Sequence, residues 1–517
     1  MSKVDSIDEA LDLIQDGAVL ASSGFAVAGT AESMFKALGE RYAKTGHPRG
    51  LTSVFCASHG NGEGQGYDHL AQDGMIAKII GGHFGLCPKL QKYIADNKCQ
   101  AYNFSIGAMT AIFRNAIQGK PGELTKVGLR TFIDPRLEGG RINSVTKEDI
   151  VKVVELDGEE YLYYPVPKFD VAILRGTTGD ENGNISLEHE ASPMEMRTIA
   201  MAVKATGGKV IFQVKYAAKG GSMTADQVAI PGSFVDAVVV SPNPFEEHRQ
   251  TKSYYYEPSW SGHTNVPMAA IPPLPLDVRK VMARRSAMEL VPNAIVNLGI
   301  GVPEGVAVVA AEEGFGDQLT LTCEDGIFGG IPGGGGAFGA GQNADSLFDM
   351  RTMFDFYDGG GLDLTVLGLA EINQRGDINV SRFGPKVPGC GGFTNISQNT
   401  RRVVFCGSFT AGGLELEIGN GKLTIVKEGK NKKFVKQVQQ ITYSGEYGAS
   451  IGQNVIFVTE RAVFRLTKEG IMLTEIAPGV DLQKDVLDQM EFTPLISDNL
   501  KLMDERIFCE EKMGLTL

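Results

Sequence analysis

The stretch Leu321-Thr322-Cys323-Glu324-Asp325-Gly326-Ile327-Phe328-Gly329-Gly330-Ile331-Pro332, followed by the glycines 333–336, decides how the rest of the chain is read. An apolar run through Leu319 and Leu321 climbs to an acidic residue and then breaks into glycines. That pattern predicts a β-strand ending in a tight turn, with Glu324 at the C-terminal edge and positive φ open to Gly326, Gly329 and Gly330. In an open α/β sheet, ligands bind in the crevice beyond the strand C-termini. A carboxyl held there against Ile327, Phe328 and Ile331 is partly desolvated, and so a stronger nucleophile or base. A lone acid before a turn is more often a cap, so the surrounding plan has to decide between the two.

That plan is a duplication. Residues 6–42 open on the capping-box pattern Ser6-Ile7-Asp8-Glu9, continue as a helix with Leu11, Leu13 and Ile14 apolar, and reach the strand Ala18-Val19-Leu20-Ala21. A glycine-bounded turn to Gly29 and a second helix from about Thr30 follow. Residues 278–314 repeat the order: a helix through Val281 and Leu290, the strand Ala294-Ile295-Val296-Asn297-Leu298, the loop Gly299-Ile300-Gly301-Val302-Pro303, and a helix from near Glu304. Phe169-Asp170-Val171-Ala172-Ile173-Leu174 recurs as Leu362-Asp363-Leu364-Thr365-Val366-Leu367, and Val210-Ile211-Phe212 falls on Val403-Val404-Phe405, both at an offset of 193 residues. Laying Phe84-Gly85 on Phe328-Gly329 sets Ile80 opposite Glu324. A capping acid serves both copies equally, so this pairing predicts that only one half carries a reactive group.

The fold class is therefore α/β, with two homologous open-sheet halves in one chain. The N-terminal half spans 1–235, a linker region spans 236–277 with a Pro-rich run to Leu276, and the C-terminal half spans 278–517. Strands such as Val171–Leu174, Val210–Phe212 and Ala237–Val240 are short and wholly apolar, as parallel strands buried on both faces are. Lys422–Val426, Val455–Thr459 and Ala462–Leu466 read as extra antiparallel strands on the second half.

At 517 residues the chain exceeds one core, and about two to four domains are expected. A net charge of −13 argues against nucleic acid as the main partner. The 7 cysteines are scattered and include no CxxC pair, which argues against a zinc site or a disulfide framework and fits a reducing compartment. The start is acidic with no apolar leader core, and no apolar run approaches the roughly 18 to 20 residues of a membrane span. A cytoplasmic protein with no membrane partner is expected.

Taken singly, the other candidates are ambiguous. Gly299–Pro303, after a strand and before a helix, offers backbone N–H groups to a phosphate but lacks the third glycine of the dinucleotide fingerprint. Gly389-Cys390-Gly391-Gly392 offers amides to an oxyanion. His83 and Asp358 read as structural. Cys323 alternates to the opposite face from Glu324 and reads as core. No metal site is apparent.

Together these motifs resemble family I coenzyme A transferases of the single-chain acetate/propionate type. The resemblance rests on Gly299–Pro303, Cys323–Gly330 around Glu324, Phe354–Asp363, Gly389–Gly392 and Phe132-Ile133-Asp134-Pro135-Arg136, and it spans nearly the whole chain. It implies an enzyme that transfers coenzyme A between a short-chain acyl-CoA and a free carboxylate such as acetate or propionate. Glu324 would be the nucleophile of a ping-pong mechanism through a glutamyl-CoA thioester. Gly299, Ile300, Gly301, Val302 and Pro303 would hold CoA, and the Gly391 or Gly392 amide would face the oxyanion. CoA is then a substrate, no cofactor or metal is required, and a homo-oligomer is implied.

One departure stands out. Relatives of this type place Pro-Gln-Gly where this chain has Ser105-Ile106-Gly107, and Ile106 cannot donate a hydrogen bond. An uncompensated oxyanion donor is worth about 3–4 kcal/mol. That departure keeps two other readings open: an acyl-CoA hydrolase on the same fold, and a non-catalytic acyl-CoA sensor.

Overall fold

Short strands without a polar face pair in parallel because helices can bury both of their faces, and seven of them build the sheet of the first half. In the computed structural model, which describes residues 2–267 and 272–517, these are β1 (Val19–Ser22), β2 (Leu51–Phe55), β3 (Ile76–Gly81), β4 (Gln100–Asn103), β5 (Val171–Arg175), β6 (Lys209–Val214) and β7 (Ala237–Val240). Their order across the sheet is β7-β6-β5-β1-β2-β3-β4, with every pair parallel. The helix Glu32–Thr45 buries Met34, Phe35 and Leu38 in a core shared with Leu20, Ile79, Ile173 and Ile211. Each such side chain removed from water contributes about 1.5–3 kcal/mol. The first half also carries a three-stranded antiparallel sheet (Gly122–Thr125, Lys152–Leu156, Glu159–Pro165) that the hydrophobic pattern did not announce.

The chain divides into two compact units that cut across its order. Unit 1 comprises Met1–Val266, Cys323–Asp355 and Phe383–Asn395; unit 2 comprises Pro267–Thr322, Phe356–Arg382 and Ile396–Leu517. The region expected as linker thus begins with an ordered strand, β7, and its residues 268–271 lie outside the described ones.

The second half contributes β8 (Ile295–Leu298), β9 (Thr320–Cys323), β10 (Leu364–Gly368), β11 (Arg402–Cys406), β12 (Asn454–Val458), β13 (Ala462–Thr467), β14 (Gly470–Ile476) and β15 (Leu495–Leu502), neighbours in the order β9-β8-β10-β11-β12-β13-β14-β15. β13 and β14 add antiparallel, and Lys422–Lys427 makes a separate antiparallel hairpin with Glu415–Gly419. The expectation for Val455–Thr459 holds on one side and is corrected on the other: β12 pairs antiparallel with β13 but runs parallel to β11, and its apolar Val-Ile-Phe-Val run is buried. It belongs to the central sheet, as a strand buried on both faces should.

The registers support the duplication in the strands that carry the constant offset. Leu20 pairs with Val171 and Val296 with Leu364; Val171 pairs with Lys209 and Leu364 with Arg402. Asp170 Oδ2 accepts from the Val19 N–H at 3.0 Å, and its counterpart Asp363 Oδ2 accepts from the Ile295 N–H at 2.9 Å.

The same registers overturn the pairing of Glu324 with Ile80. Val19 pairs with Thr52 and Ile295 with Thr320, so β9 is the counterpart of β2, not of β3. Counting onward from Phe55 and Cys323, Glu324 falls opposite Cys56. The Phe-Gly likeness is local, whereas register is set by hydrogen bonds between strands far apart in the chain.

Candidate active site

Within unit 2, the strand leading to Glu324 is pinned from its neighbours. Thr322 Oγ1 donates to the Val296 carbonyl (3.3 Å) and accepts from the Tyr357 hydroxyl (2.9 Å), while Asn297 Nδ2 donates to the Thr322 carbonyl (3.3 Å). After Cys323 the chain turns, closed by the Gly326 N–H donating to the Cys323 carbonyl at 3.1 Å. Glu324 and Asp325 are the two central residues of that turn. Gly326 (φ +116°), Gly329 (φ +76°) and Gly330 (φ +68°) all take the positive φ read from the sequence. A methyl group at Gly326 would strike the Phe348 carbonyl.

Glu324 and the residues that surround it belong to unit 1. Glu324 keeps partial exposure as a residue, but its Oε2 is fully shielded and has no complete hydrogen bond. Burial, and then the charge of Asp325, pushes its carboxyl up to about 7, with the Gly392 N–H pulling the other way. A methyl at Gly392 would collide with Oε2 and with Phe354, so glycine is what allows the backbone this close. Asp325 is fully buried, neither of its carboxylate oxygens has a hydrogen-bond partner, and burial pushes it up to about 6. Its backbone carbonyl accepts from Ser192 Oγ at 2.5 Å.

The Gly389–Gly392 turn is clamped by the first half. The Cys390 N–H donates to Asn103 Oδ1 (2.9 Å), and Asn103 Nδ2 donates to the Gly82 carbonyl (2.6 Å). The Gly391 N–H donates to that same Gly82 carbonyl (2.9 Å), and the Gly391 carbonyl accepts from the Ile106 N–H (3.0 Å). This corrects one candidate: the Gly391 amide is already committed, so of the two glycines only Gly392 offers its N–H to the Glu324 side. Ile106 is 2% exposed, and its Cγ1 stands where a methyl on Gly82 would go. The residue is packing, not a polar group turned away. Beside it, the fully buried Ser105 hydroxyl has no partner.

The loop Gly299–Pro303 belongs to unit 2. It leaves the sheet after β8, the neighbour of β9, with the Gly299 N–H donating to the Val366 carbonyl (2.8 Å) and the Gly301 carbonyl accepting from Arg279 Nη2 (3.1 Å). Ile300 is 63% exposed. Asp358, also in unit 2, accepts from Asn399 Nδ2 at 3.1 Å. His83 lies beside the Gly389–Gly391 turn, accepts from the Gly85 N–H (3.3 Å), and is pushed down to about 4 by burial. Cys323 is only half-buried, which corrects its assignment to the core, and its thiol faces the Asp325 carboxylate.

The sequence reading singled out neither Asp325 nor a further buried acid, Glu195. Glu195 is fully buried beside the Ser23 hydroxyl and the Cys56 thiol, neither of which completes a hydrogen bond to it, and burial, helped by the charge of Asp349 and opposed by its own backbone N–H, pushes it up to about 8. It follows Met194, whose φ of +47° is rare for a side-chain-bearing residue. No short motif marks this cluster, because Ser23, Cys56, Glu195 and Asp349 come from four distant segments.

Among the described residues no group of three or more His, Cys, Asp or Glu side chains is placed to hold a metal ion. No helix there is long and apolar enough to cross a membrane.

Comparison with known proteins follows the same lines. A family model described as "Coenzyme A transferase" matches residues 4–241. The caffeate CoA-transferase of Acetobacterium woodii is 46% identical over 100% of this chain and 99% of its own. The acetate CoA-transferase YdiF of Escherichia coli K12 is 42% identical over 99% of this chain and 96% of its own. The crystal structure of the YdiF apoenzyme from E. coli O157:H7 superposes with a TM-score of 0.94 at 41% identity, covering 100% of this chain and 98% of that one. A second structure of that enzyme, described as a thioester complex with CoA, gives a TM-score of 0.93 at 40% identity, with the same coverage.

Proposed function

This chain belongs to the coenzyme A transferase family, and from that premise we propose that it moves coenzyme A between a short-chain acyl-CoA and a free carboxylate through Glu324. The observation that carries the reading is the state of that carboxyl: shielded at Oε2, faced by the Gly392 N–H, and raised by burial and by Asp325. A carboxylate stripped of strong partners attacks better than a solvated one.

Glu324 attacks the thioester carbonyl carbon of the acyl-CoA, the C–S bond breaks, and CoA leaves as thiolate from a mixed anhydride. The thiolate then attacks the Glu324 carbonyl, the first acid leaves as carboxylate, and Glu324 is held as a CoA thioester. An incoming carboxylate runs the same steps in reverse. The Gly392 N–H is the donor for the oxyanion that develops in each attack, and Gly299–Pro303 holds part of the CoA through backbone groups at the edge of its sheet. The thioester described for YdiF, about two-fifths identical to this chain, supports this route. The exchange conserves thioester energy, so CoA serves as substrate and no further cofactor enters the reaction. Acetate and caffeate are the acids that the relatives' names bring forward, and propionate is the one the family resemblance adds. A homo-oligomer working in the cytoplasm belongs to the same reading.

The test is acceptor dependence. With acetyl-CoA as donor and a panel of carboxylates, new acyl-CoA should form with parallel double-reciprocal plots. Free CoA released at the same rate without any acceptor sinks the transferase reading in favour of a hydrolase, the alternative that Ile106 motivates.

A further inference from the structure

Asp325 is a buried carboxyl faced only by the Cys323 thiol and its own backbone N–H. It is 0% exposed, and both of its carboxylate oxygens lack a hydrogen-bond partner. A carboxylate in that state is costly, since buried charges elsewhere in proteins are paired. This chain does pair others: Glu190 lies against Arg175 at 2.5 Å and His248 at 3.1 Å in an equally buried setting. Asp325 is also not a loose residue that found no partner. Ser192 Oγ holds its carbonyl at 2.5 Å, the turn is closed on both sides by the Gly326 N–H to Cys323 and the Phe348 N–H to Gly326 (2.7 Å), and Gly326 admits no side chain. The fold thus fixes an unpaired carboxyl on the residue next to the nucleophile.

We propose that Asp325 is a positioning residue whose unpaired charge repels the free Glu324 carboxylate and stops repelling it once Glu324 is capped by CoA. The inference rests on Glu324 being the nucleophile. In the capping step the charge balances: Glu324 carboxylate plus acyl-CoA gives the neutral Glu324–CoA thioester plus a free carboxylate, so the negative charge leaves the turn with the departing acid. Before the step two like charges share a low-dielectric turn; after it, one remains. Relief of that repulsion favours the thioester and makes the free Glu324 a better nucleophile.

The groups that face the pair from packed elements leave the effect to Asp325. From β9 there is the Cys323 thiol and from the Gly389–Gly392 turn the Cys390 thiol; burial holds both far above neutrality, Cys390 at about 12. The Gly392 N–H faces Glu324, and the Asp325 amide and Cys323 thiol face Asp325, without completing hydrogen bonds to its oxygens.

The experiment compares wild-type enzyme with Asp325→Asn, which keeps shape and removes charge. Two quantities are read: the ratio of thioester to free enzyme at a fixed acetyl-CoA to acetate ratio, by intact-protein mass, and the acid limb of kcat/KM against pH. We expect the thioester ratio to fall about tenfold and the acid limb to move down by about one pH unit, the two being one coupling read twice. Asp325→Glu, which restores charge, should return both toward wild type. If Asp325→Asn does not accumulate as folded protein, Asp325→Ser carries the same two readings. Unchanged ratio and unchanged limb in a folded charge-removing variant overturn the role of Asp325, as does lower activity with no movement in either. A wild-type enzyme that forms no thioester at all instead removes Glu324 as nucleophile, a separate failure.

Discussion

Two strand ends that hold the same place in their sheets carry different chemistry: Cys56 after β2 and Glu324 after β9. Both are buried at the reactive atom. Burial, and then the neighbouring Glu195, pushes the Cys56 thiol well above its usual range, so it stays neutral and serves as packing. Burial at Glu324 lifts the carboxyl only to about 7, which leaves it able to ionise near neutrality. The same desolvation that silences a thiol tunes a carboxylic acid into a nucleophile, because the acid starts several units lower. The two halves therefore share a scaffold, and on the proposed reading the residue type at one position decides which of them does chemistry.

The largest break in that comparison is Glu324→Gln, which removes the nucleophile while keeping its shape. Exchange between acetyl-CoA and acetate should fall at least about 10⁴-fold, measured by isotope exchange, in line with deletions of other covalent nucleophiles. Gly392→Ala comes next. The added methyl displaces Glu324 Oε2 from the one amide that faces it, and kcat should drop about 100-fold with a smaller change in KM. A pH profile sharpens the same point. The carboxylate is the reactive form and the folded value is raised to about 7, so kcat/KM should be level above neutrality and lose about tenfold for each unit below pH 7. A limb near pH 4.5 instead would mean that Glu324 is not desolvated in solution. The smallest effect belongs to Cys56→Ala: exchange within about twofold of wild type, and a stability loss of about 1 kcal/mol by urea denaturation, as for a modest buried truncation. A large catalytic loss there would erase the contrast between the two strand ends.

Much of this was legible in the sequence. Wholly apolar short strands announced a parallel sheet, the offset of 193 residues located four matching strands, and the glycines after Glu324 marked its turn. What failed did so for a shared reason. The match of Phe84-Gly85 to Phe328-Gly329 is genuine as a string, but Thr52 and Thr320 find their places through hydrogen bonds to Val19 and Ile295, strands that no local window contains. The parallel pairing of β12 with β11 was missed because an apolar run of that length reads alike in either direction of pairing. The competition between Gly391 and Gly392 was settled by the Gly82 carbonyl, and the state of Asp325 by burial with no completed hydrogen bond to its oxygens, neither of which leaves a mark in the string of residues. Ile106 was visible as a departure, yet only its packing over Gly82 tells that it fills space.

The most direct test of Glu324 as the covalent residue uses acetyl-CoA alone, with no acceptor. After brief incubation the wild-type protein should gain the mass of CoA less water, borohydride should convert the adduct to a reduced residue, and peptide mapping should place that residue at 324, with Glu324→Gln giving neither. Wild-type protein that exchanges acyl groups while carrying no adduct on the Glu324 peptide contradicts the account.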